Sequence, residues 1–445
     1  MVWDTRARRD DAERYLRELA ARVLPADGTE AKSEPTERGQ TLHLASPAEM
    51  APLQRLRAIF NAGEALVAIG AIEPYVVDEI ATQYAQTGHG RGNKMVGREL
   101  KFGASQIRPR PAPVELRPVT IACGPIEVPM PWGDITIRFV RFEHTRTVLS
   151  ITGRLSASSS SESGRHHPLR EINGPRRRLT VVVADDRGTT SQAHFSGGGR
   201  GEDEIDGQLA TIAPMSTDTA WLELDGRRIE LRAHEPADAE VHLEKLATPP
   251  TALAYLWHKV AILGRPLRHQ PLMSGLEATI AALVAIDAID AEDPELDAMR
   301  RVLGALWNIP GTEAHGPFPE PWSSVLVRRA RGNGAMCGTL SLEVVTPAVD
   351  GISVCAHALE ATPERFVIEM ELAPDGPLAW WAEDDRGGVY LGFGEGIEGS
   401  PEHSSTRAVF LGGLDADVEE LRFMPTGITE RALLRIPMRG RLRST

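Results

Sequence analysis

Aromatic residues are scarce in this chain, lysine is scarcer, and cysteine is almost absent. Phe, Trp and Tyr supply only 5% of the 445 residues, so any core must be built mainly from Ala, Leu, Val and Ile. Lysine occurs five times against 44 arginines, a bias of high-GC bacterial genomes rather than of mechanism. The three cysteines, Cys123, Cys337 and Cys355, are odd in number and have no metal spacing, which argues against a disulfide framework and a metal centre. His-Glu-x-x-His, Gly-x-Ser-x-Gly and Cys-x-x-Cys do not occur, which disfavours the common zinc enzymes and hydrolases. The longest apolar runs, 65–72 and 280–289, are too short for a membrane span, and the first ten residues mix acidic and basic groups with no apolar signal core. A cytoplasmic protein without membrane attachment is the simplest reading. The net charge of −13 disfavours nucleic acid and anionic lipid, because phosphate binding rests on basic surface.

What the chain does contain is a phrase written twice, Val181-Val-Val-Ala-Asp-Asp-Arg-Gly188 and Trp380-Trp-Ala-Glu-Asp-Asp-Arg-Gly387, at an offset of 199. Other segments recur in the same order. Ala65-Leu-Val-Ala-Ile-Gly-Ala-Ile72 matches Ala282-Leu-Val-Ala-Ile-Asp-Ala-Ile289, and Glu143-His-Thr145 matches Glu360-Ala-Thr362, both at an offset of 217. The apolar spacing of Ala12, Leu16 and Leu19 returns in Ala239, Leu243 and Leu246. The loss of 18 residues between the two offsets coincides with a Ser-rich stretch, 156–174, that the second copy lacks. Together these predict a tandem duplication of one unit, with a surface-loop insertion in the first copy.

Within each unit the apolar period changes from helical to alternating. Residues 1–87 read as a helical bundle, with one helix starting at the Ser46-Pro47 cap and another at Pro74. Residues 88–118 read as a basic linker marked by Gly and Pro, and 119–235 as a β-sandwich. Residues 236–309 read as a second bundle, 310–322 as a Pro-rich connector, and 323–445 as a second sandwich. Short strands with no helices between them point to immunoglobulin-like antiparallel sandwiches, so the expected class is α+β. The second bundle is expected to open with a helix over 237–247 and to hold four helices against three in the first.

The repeated phrase places Asp-Arg-Gly after an apolar strand end. Asp folds back onto nearby amides and Gly accepts positive φ, which is what a hairpin turn needs. That structural reading stands beside a tentative binding role for Asp185, Asp186 and Arg187 and for Asp384, Asp385 and Arg386. Adjacent carboxylates on a strand point to opposite faces and make a poor acid–base dyad. Trp380 and Trp381 lead into the second turn where the first copy has valines; one is expected in the core and the other on a contact surface. Ser196-Gly-Gly-Gly-Arg-Gly201 is followed by Glu-Asp-Glu, which repels phosphate, and so reads as a loop rather than an anion cradle. His166 and His167 lack a third ligand at metal spacing. The clusters Arg176-Arg-Arg178, the basic linker and the C-terminal arginines have little aromatic interleaving, which argues against nucleic-acid binding.

The two halves share helix faces, strands and turns but no reactive constellation. The leading expectation is therefore a non-enzymatic intracellular interaction or scaffold protein with an unidentified protein partner, no cofactor and no metal. The alternative is a hydrolase acting on a carbohydrate or peptide, its site assembled at the junction of the halves. For a binding surface, the groove between bundle and sandwich is the expected place, because pockets favour domain junctions.

Overall fold

The computed structural model describes residues 5–21, 47–87, 94–107, 116, 121–122, 125–130, 133–143, 146–155, 180–198, 204–232, 236–246, 250–264, 271–307, 318–326, 335–400, 403–439 and 442–444. Four helices open it: α1 (Thr5–Ala21), α2 (Pro47–Ala68), α3 (Pro74–Ala85) and α4 (Lys94–Ile107). Pro47 and Pro74 stand at the first helical position, where a missing N–H leaves no bond unmade. Side chains at helical spacing, among them Leu53, Leu56, Val77, Ile80, Val96 and Ala104, bury into one core. The helix α4 lies inside 88–118, the stretch that composition marks as a linker. Its Gly103 is a contact point rather than a break. A Cβ there would stand 2.2 Å from the Phe60 ring, so only glycine lets α4 approach α2 this closely.

Ten strands follow: β1 (Ile121–Ala122), β2 (Ile126–Met130), β3 (Gly133–Phe142), β4 (Thr147–Leu155), β5 (Thr180–Asp185), β6 (Thr190–Gly198), β7 (Glu204–Thr211), β8 (Trp221–Leu224), β9 (Arg227–Glu230) and β10 (Glu240–Lys245). Then come α5 (Ala252–Leu263), α6 (Pro271–Ala285), α7 (Pro294–Trp307) and α8 (Trp322–Leu326). The chain ends in β11 (Met336–Val345), β12 (Ser353–Ala361), β13 (Arg365–Ala373), β14 (Ala379–Asp384), β15 (Val389–Ser400), β16 (His403–Leu411), β17 (Glu420–Thr426), β18 (Glu430–Pro437) and β19 (Arg443–Ser444).

The strand pairings are antiparallel, and with the helices they make the fold α+β. One nine-stranded sheet runs β1-β3-β4-β7-β6-β5-β8-β9, with β2 also on β3; a ten-stranded sheet runs β19-β11-β12-β13-β16-β15-β14-β17-β18-β10. The path β3-β4-β7-β6-β5-β8-β9 and the path β12-β13-β16-β15-β14-β17-β18 have the same order of seven strands. One sheet is barrel-like and the other a half-barrel. Each is a single continuous hydrogen-bonded path, whereas an immunoglobulin-like sandwich has two separate sheets face to face. Alternation sends Ile137, Leu149, Val181 and Val183 to the inside of the first, and Val354, Phe366, Trp380 and Phe423 to the inside of the second.

Several sequence expectations need correcting. The helix expected over 237–247 is absent from its described residues, 237–246: they contain β10, which pairs with β18 from Glu240↔Arg435 to Lys245↔Glu430. Ala239, Leu243 and Leu246 fit the helical period, but Ala237, Ala239 and Val241 fit a period of two and pack on the core of the second sheet, while Leu243 is 38% exposed. The helix that packs as α1 does is α5: α1 lies on α2 and α3, α5 on α6 and α7. Four helices are described in each half, not three and four. The offset at the β3–β4 hairpin is 219, not 217. The Glu143 N–H donates to Arg146 O at 2.9 Å, and the matching bond runs from Thr362 N–H to Arg365 O at 2.8 Å, so Glu143 corresponds to Thr362. Glu360 therefore lies inside β12. The Ser-rich stretch 156–174, with His166 and His167, lies outside the described residues, as do Cys123 and the 176–178 arginines. Among the described residues no helix is long and apolar enough to cross a membrane.

Candidate functional site

The repeated phrase forms the β5–β6 and β14–β15 turns, and the two are wired alike. Asp185 Oδ1 accepts the N–H of Arg187 at 3.0 Å and of Thr189 at 2.7 Å; Asp384 Oδ1 accepts those of Arg386 at 2.9 Å and Gly388 at 2.7 Å. Asp186 receives the Ala220 N–H at 3.0 Å, and Asp385 the Glu419 N–H at 3.1 Å. Arg187 reaches Asp218 at 2.8 Å, and Arg386 pairs with Asp417. Every partner in the second set is 199 residues beyond its counterpart. Asp185 and Asp384 thus close each turn on itself, while Asp186, Arg187, Asp385 and Arg386 tie it to the segment that precedes β8 or β17. One difference stands out: Asp384 Oδ2 also accepts the Tyr390 hydroxyl at 2.8 Å, where the first copy has Ser191.

The two tryptophans diverge by strand alternation. Trp380 enters the core of the second sheet, stacked on Phe423 with centroids 6.0 Å apart. Trp381 points the other way, into the apolar cluster that joins the helices to the outer face of β14 and β15. There its ring stands edge-on to Trp322 at 5.3 Å, and Trp322 in turn stacks on Trp257 at 5.4 Å. These three residues come from β14, α8 and α5. With Phe318 and four prolines they line a cavity of about 910 Å³ between the helices and the second sheet. Trp257 and Trp322 carry no signal in the sequence beyond the run Phe318-Pro-Glu-Pro-Trp322.

Local chemistry holds each wall in place. Thr251 caps α5, its hydroxyl accepting the Ala254 N–H at 3.1 Å, one turn before Trp257. The Trp257 indole donates to Glu295 at 2.6 Å, which ties α5 to the first turn of α7. Glu320 accepts the hydroxyls of Ser323 and Ser324 at the start of α8. The far wall is the β17–β18 hairpin, through Thr426, Gly427 and Ile428. Asp350, at φ 46°, anchors it by accepting from the amides of Ile428 and Thr429 and from the Thr429 hydroxyl. A Cβ on Gly427 would meet Asp350 Oδ2 at 2.2 Å, so this grip requires glycine. The equivalent β8–β9 hairpin turns early, pairing Leu224 with Arg227, whereas β17–β18 still pairs Thr426 with Arg431. In the first half Val182 takes the place of Trp381 and is 45% exposed.

A second cluster lies where the two sheets meet. Bulges at Arg138 and His357, 219 apart, break the strand alternation and turn successive side chains outward. Phe139 there packs on Ala358, Arg138 pairs with Glu360 at 2.8 Å, and Gln208 donates to Glu369 at 3.1 Å. Arg141 is wholly buried between Glu143 and Ser405. Burial pulls its pKa down, but Glu143, Glu371 and Glu369 outweigh that and leave it raised. Burial likewise raises Glu369, against Arg407, Arg141 and Arg138.

Inside this cluster Cys355 Sγ lies 3.7 Å from His357 Nδ1, and His357 Nε2 lies 3.3 Å from Glu371. Thiol, imidazole and carboxylate thus follow one another as in an activated cysteine. Here they are sealed, with both Cys355 and His357 fully buried. Burial, reinforced by the Glu371 charge, pushes the thiol up to about 12, and burial with Arg141 holds the imidazole below its ordinary range. Such a thiol supplies no thiolate near neutral pH and behaves as packing.

No family model matches the chain, and no curated protein matches it. Among solved structures it is similar to the crystal structure of a conserved domain protein from Bacillus anthracis, at 9% identity over 72% of this chain and 81% of that one, with a TM-score of 0.20. At that level of superposition the likeness carries no argument about function.

Proposed function

We propose that this chain is a non-enzymatic, intracellular binding protein descended from two copies of one unit, and that the aromatic cavity of the second copy is its binding site. The observation that carries this reading is the convergence of Trp257, Trp322 and Trp381 on one cavity from three separate elements. Its volume lies within the range of roughly 300–1,000 Å³ usual for sites that enclose a small ligand, and it sits at a junction of helices and sheet. The descent from a duplicated unit is supported by the shared seven-strand path, the paired bulges and the matching backbone wiring of the two turns. That ancestral unit joins a helical part to a curled antiparallel sheet. The hydrolase alternative is weaker, because the thiol–imidazole–carboxylate series is closed to substrate.

Ala254 tests the site. It is an exposed position of α5 that lines the cavity, so Ala254→Trp fills the space without entering the core. A small-molecule library screened by quenching of tryptophan fluorescence is expected to yield ligands whose binding this variant abolishes, with the thermal transition unchanged. Ligands that bind the variant as well as the parent place the site elsewhere. Covalent labelling of Cys355 by an electrophilic peptide in the native protein would restore the hydrolase.

A further inference from the structure

The walls of the cavity also constrain the charge of what enters it. Among its described lining residues Glu295 and Glu320 are carboxylates, none is Lys or Arg, and the remaining ionisable side chain is the imidazole of His258. Both glutamates are exposed at the rim and held in place by hydrogen bonds, one from the Trp257 indole and the other from two serine hydroxyls. Behind them stand three indoles, whose faces carry partial negative charge. An aromatic floor under a carboxylate rim attracts a positive charge that is weakly hydrated and spread over methyl groups. It repels an anion. Of about 910 Å³, an alkylammonium head fills only a part, so the molecule must also carry an apolar body to lie on Phe318 and the prolines.

We infer that the cavity binds a small organic cation, a quaternary or fully alkylated ammonium carried on an apolar body. This rests on the reading of the cavity as the binding site and goes further by assigning the class of ligand. Recognition is direct: the cationic head lies against Trp257 and Trp381, the two half-exposed members of the aromatic trio, with Glu295 and Glu320 at the rim, and the apolar body displaces water from the proline-lined wall.

The test is calorimetric titration of the full chain with three probes of one shape: benzyltrimethylammonium, benzyl alcohol and benzenesulfonate. The cation is expected to bind at least about tenfold more tightly than the alcohol, the scale set by one or two cation–π contacts, and the sulfonate not at all. In the Glu295→Gln, Glu320→Gln double variant the cation should weaken by about threefold and keep the part of its preference that the indoles supply, with binding of the alcohol unchanged. Raising salt in the parent should weaken the cation alone, because rim charges are screened. Equal affinity for cation and alcohol overturns the inference while leaving the cavity as a site for neutral ligands. Tighter binding of the sulfonate overturns it outright. Failure of all three probes at millimolar concentration, together with an unaltered library screen on Ala254→Trp, sinks both readings.

Discussion

Replacing Asp384 by alanine should loosen the second sheet more than the same change at Asp185 loosens the first. Asp384 is buried and its carboxylate accepts three hydrogen bonds, from the amides of Arg386 and Gly388 and from the Tyr390 hydroxyl. Asp185 accepts only the first two of these. A hydrogen bond to a charged group contributes about 1.5–3 kcal/mol, and bonds sharing one carboxylate do not add fully. We therefore expect a loss of about 4 kcal/mol for Asp384→Ala and about 2–3 kcal/mol for Asp185→Ala. Global unfolding is a poor readout in a chain of this size, where a single two-state free energy is not defined. Hydrogen exchange followed by mass spectrometry reports each hairpin separately. At about tenfold per 1.4 kcal/mol, amides of β14 and β15 should exchange close to a thousandfold faster in Asp384→Ala, up to the limit set by global opening. Those of β5 and β6 should exchange about thirty- to a hundredfold faster in Asp185→Ala. Tyr390→Phe, which removes the third bond alone, should account for most of the difference. Equal acceleration in the two hairpins, or none in β14 and β15, would refute the reasoning.

Three further outcomes follow from the same contacts. Asp350→Ala releases the β17–β18 hairpin and should weaken any ligand of the cavity by about tenfold with little effect on binding to unrelated surfaces; Gly427→Ala, by crowding the same carboxylate, should do likewise, and unchanged affinity in both would remove the hairpin from the site. Arg141→Ala leaves buried Glu143 with Arg146 as its remaining ion-pair partner and should cost about 3–5 kcal/mol, read as faster hydrogen exchange of the β3 and β4 amides, more than Arg146→Ala at the half-exposed position. The thiol of Cys355 is raised from an ordinary 9.0 to about 12, so the unfolded chain loses that proton first as pH rises. Its contribution is therefore intact below about pH 9 and disappears between about 9 and 12, up to roughly 1.4 kcal/mol per unit. Cys355→Val should abolish that part of the alkaline decline in stability, and an identical pH profile in the two proteins would contradict it.

The parts of this protein that could be read from residues alone were those whose cause is local. An Asp that folds back on the next amides and a Gly at positive φ specify a turn wherever the chain carries them, and both copies of the phrase do so. Proline at a helix start is equally local. Where two periods fitted the same residues, local reasoning had nothing to decide with. The segment 237–247 satisfies helical spacing and alternation together, and the free edge of β18 made it a strand. Gly103 of α4 looked like a linker mark because the Phe60 ring it accommodates is more than 40 residues away in sequence.

What the sequence determined by itself was the α+β class of structure and the chemistry of its turns, because each depends on neighbours within a few residues. The tertiary structure alone decided which surfaces became a cavity and which became a seal. Trp257, Trp322 and Trp381 are far apart along the chain and acquire a common meaning only when helix and sheet bring their rings within van der Waals reach. The same packing brought Cys355, His357 and Glu371 together and then closed the other sheet over them, and burial of charge, not residue identity, made that group inert.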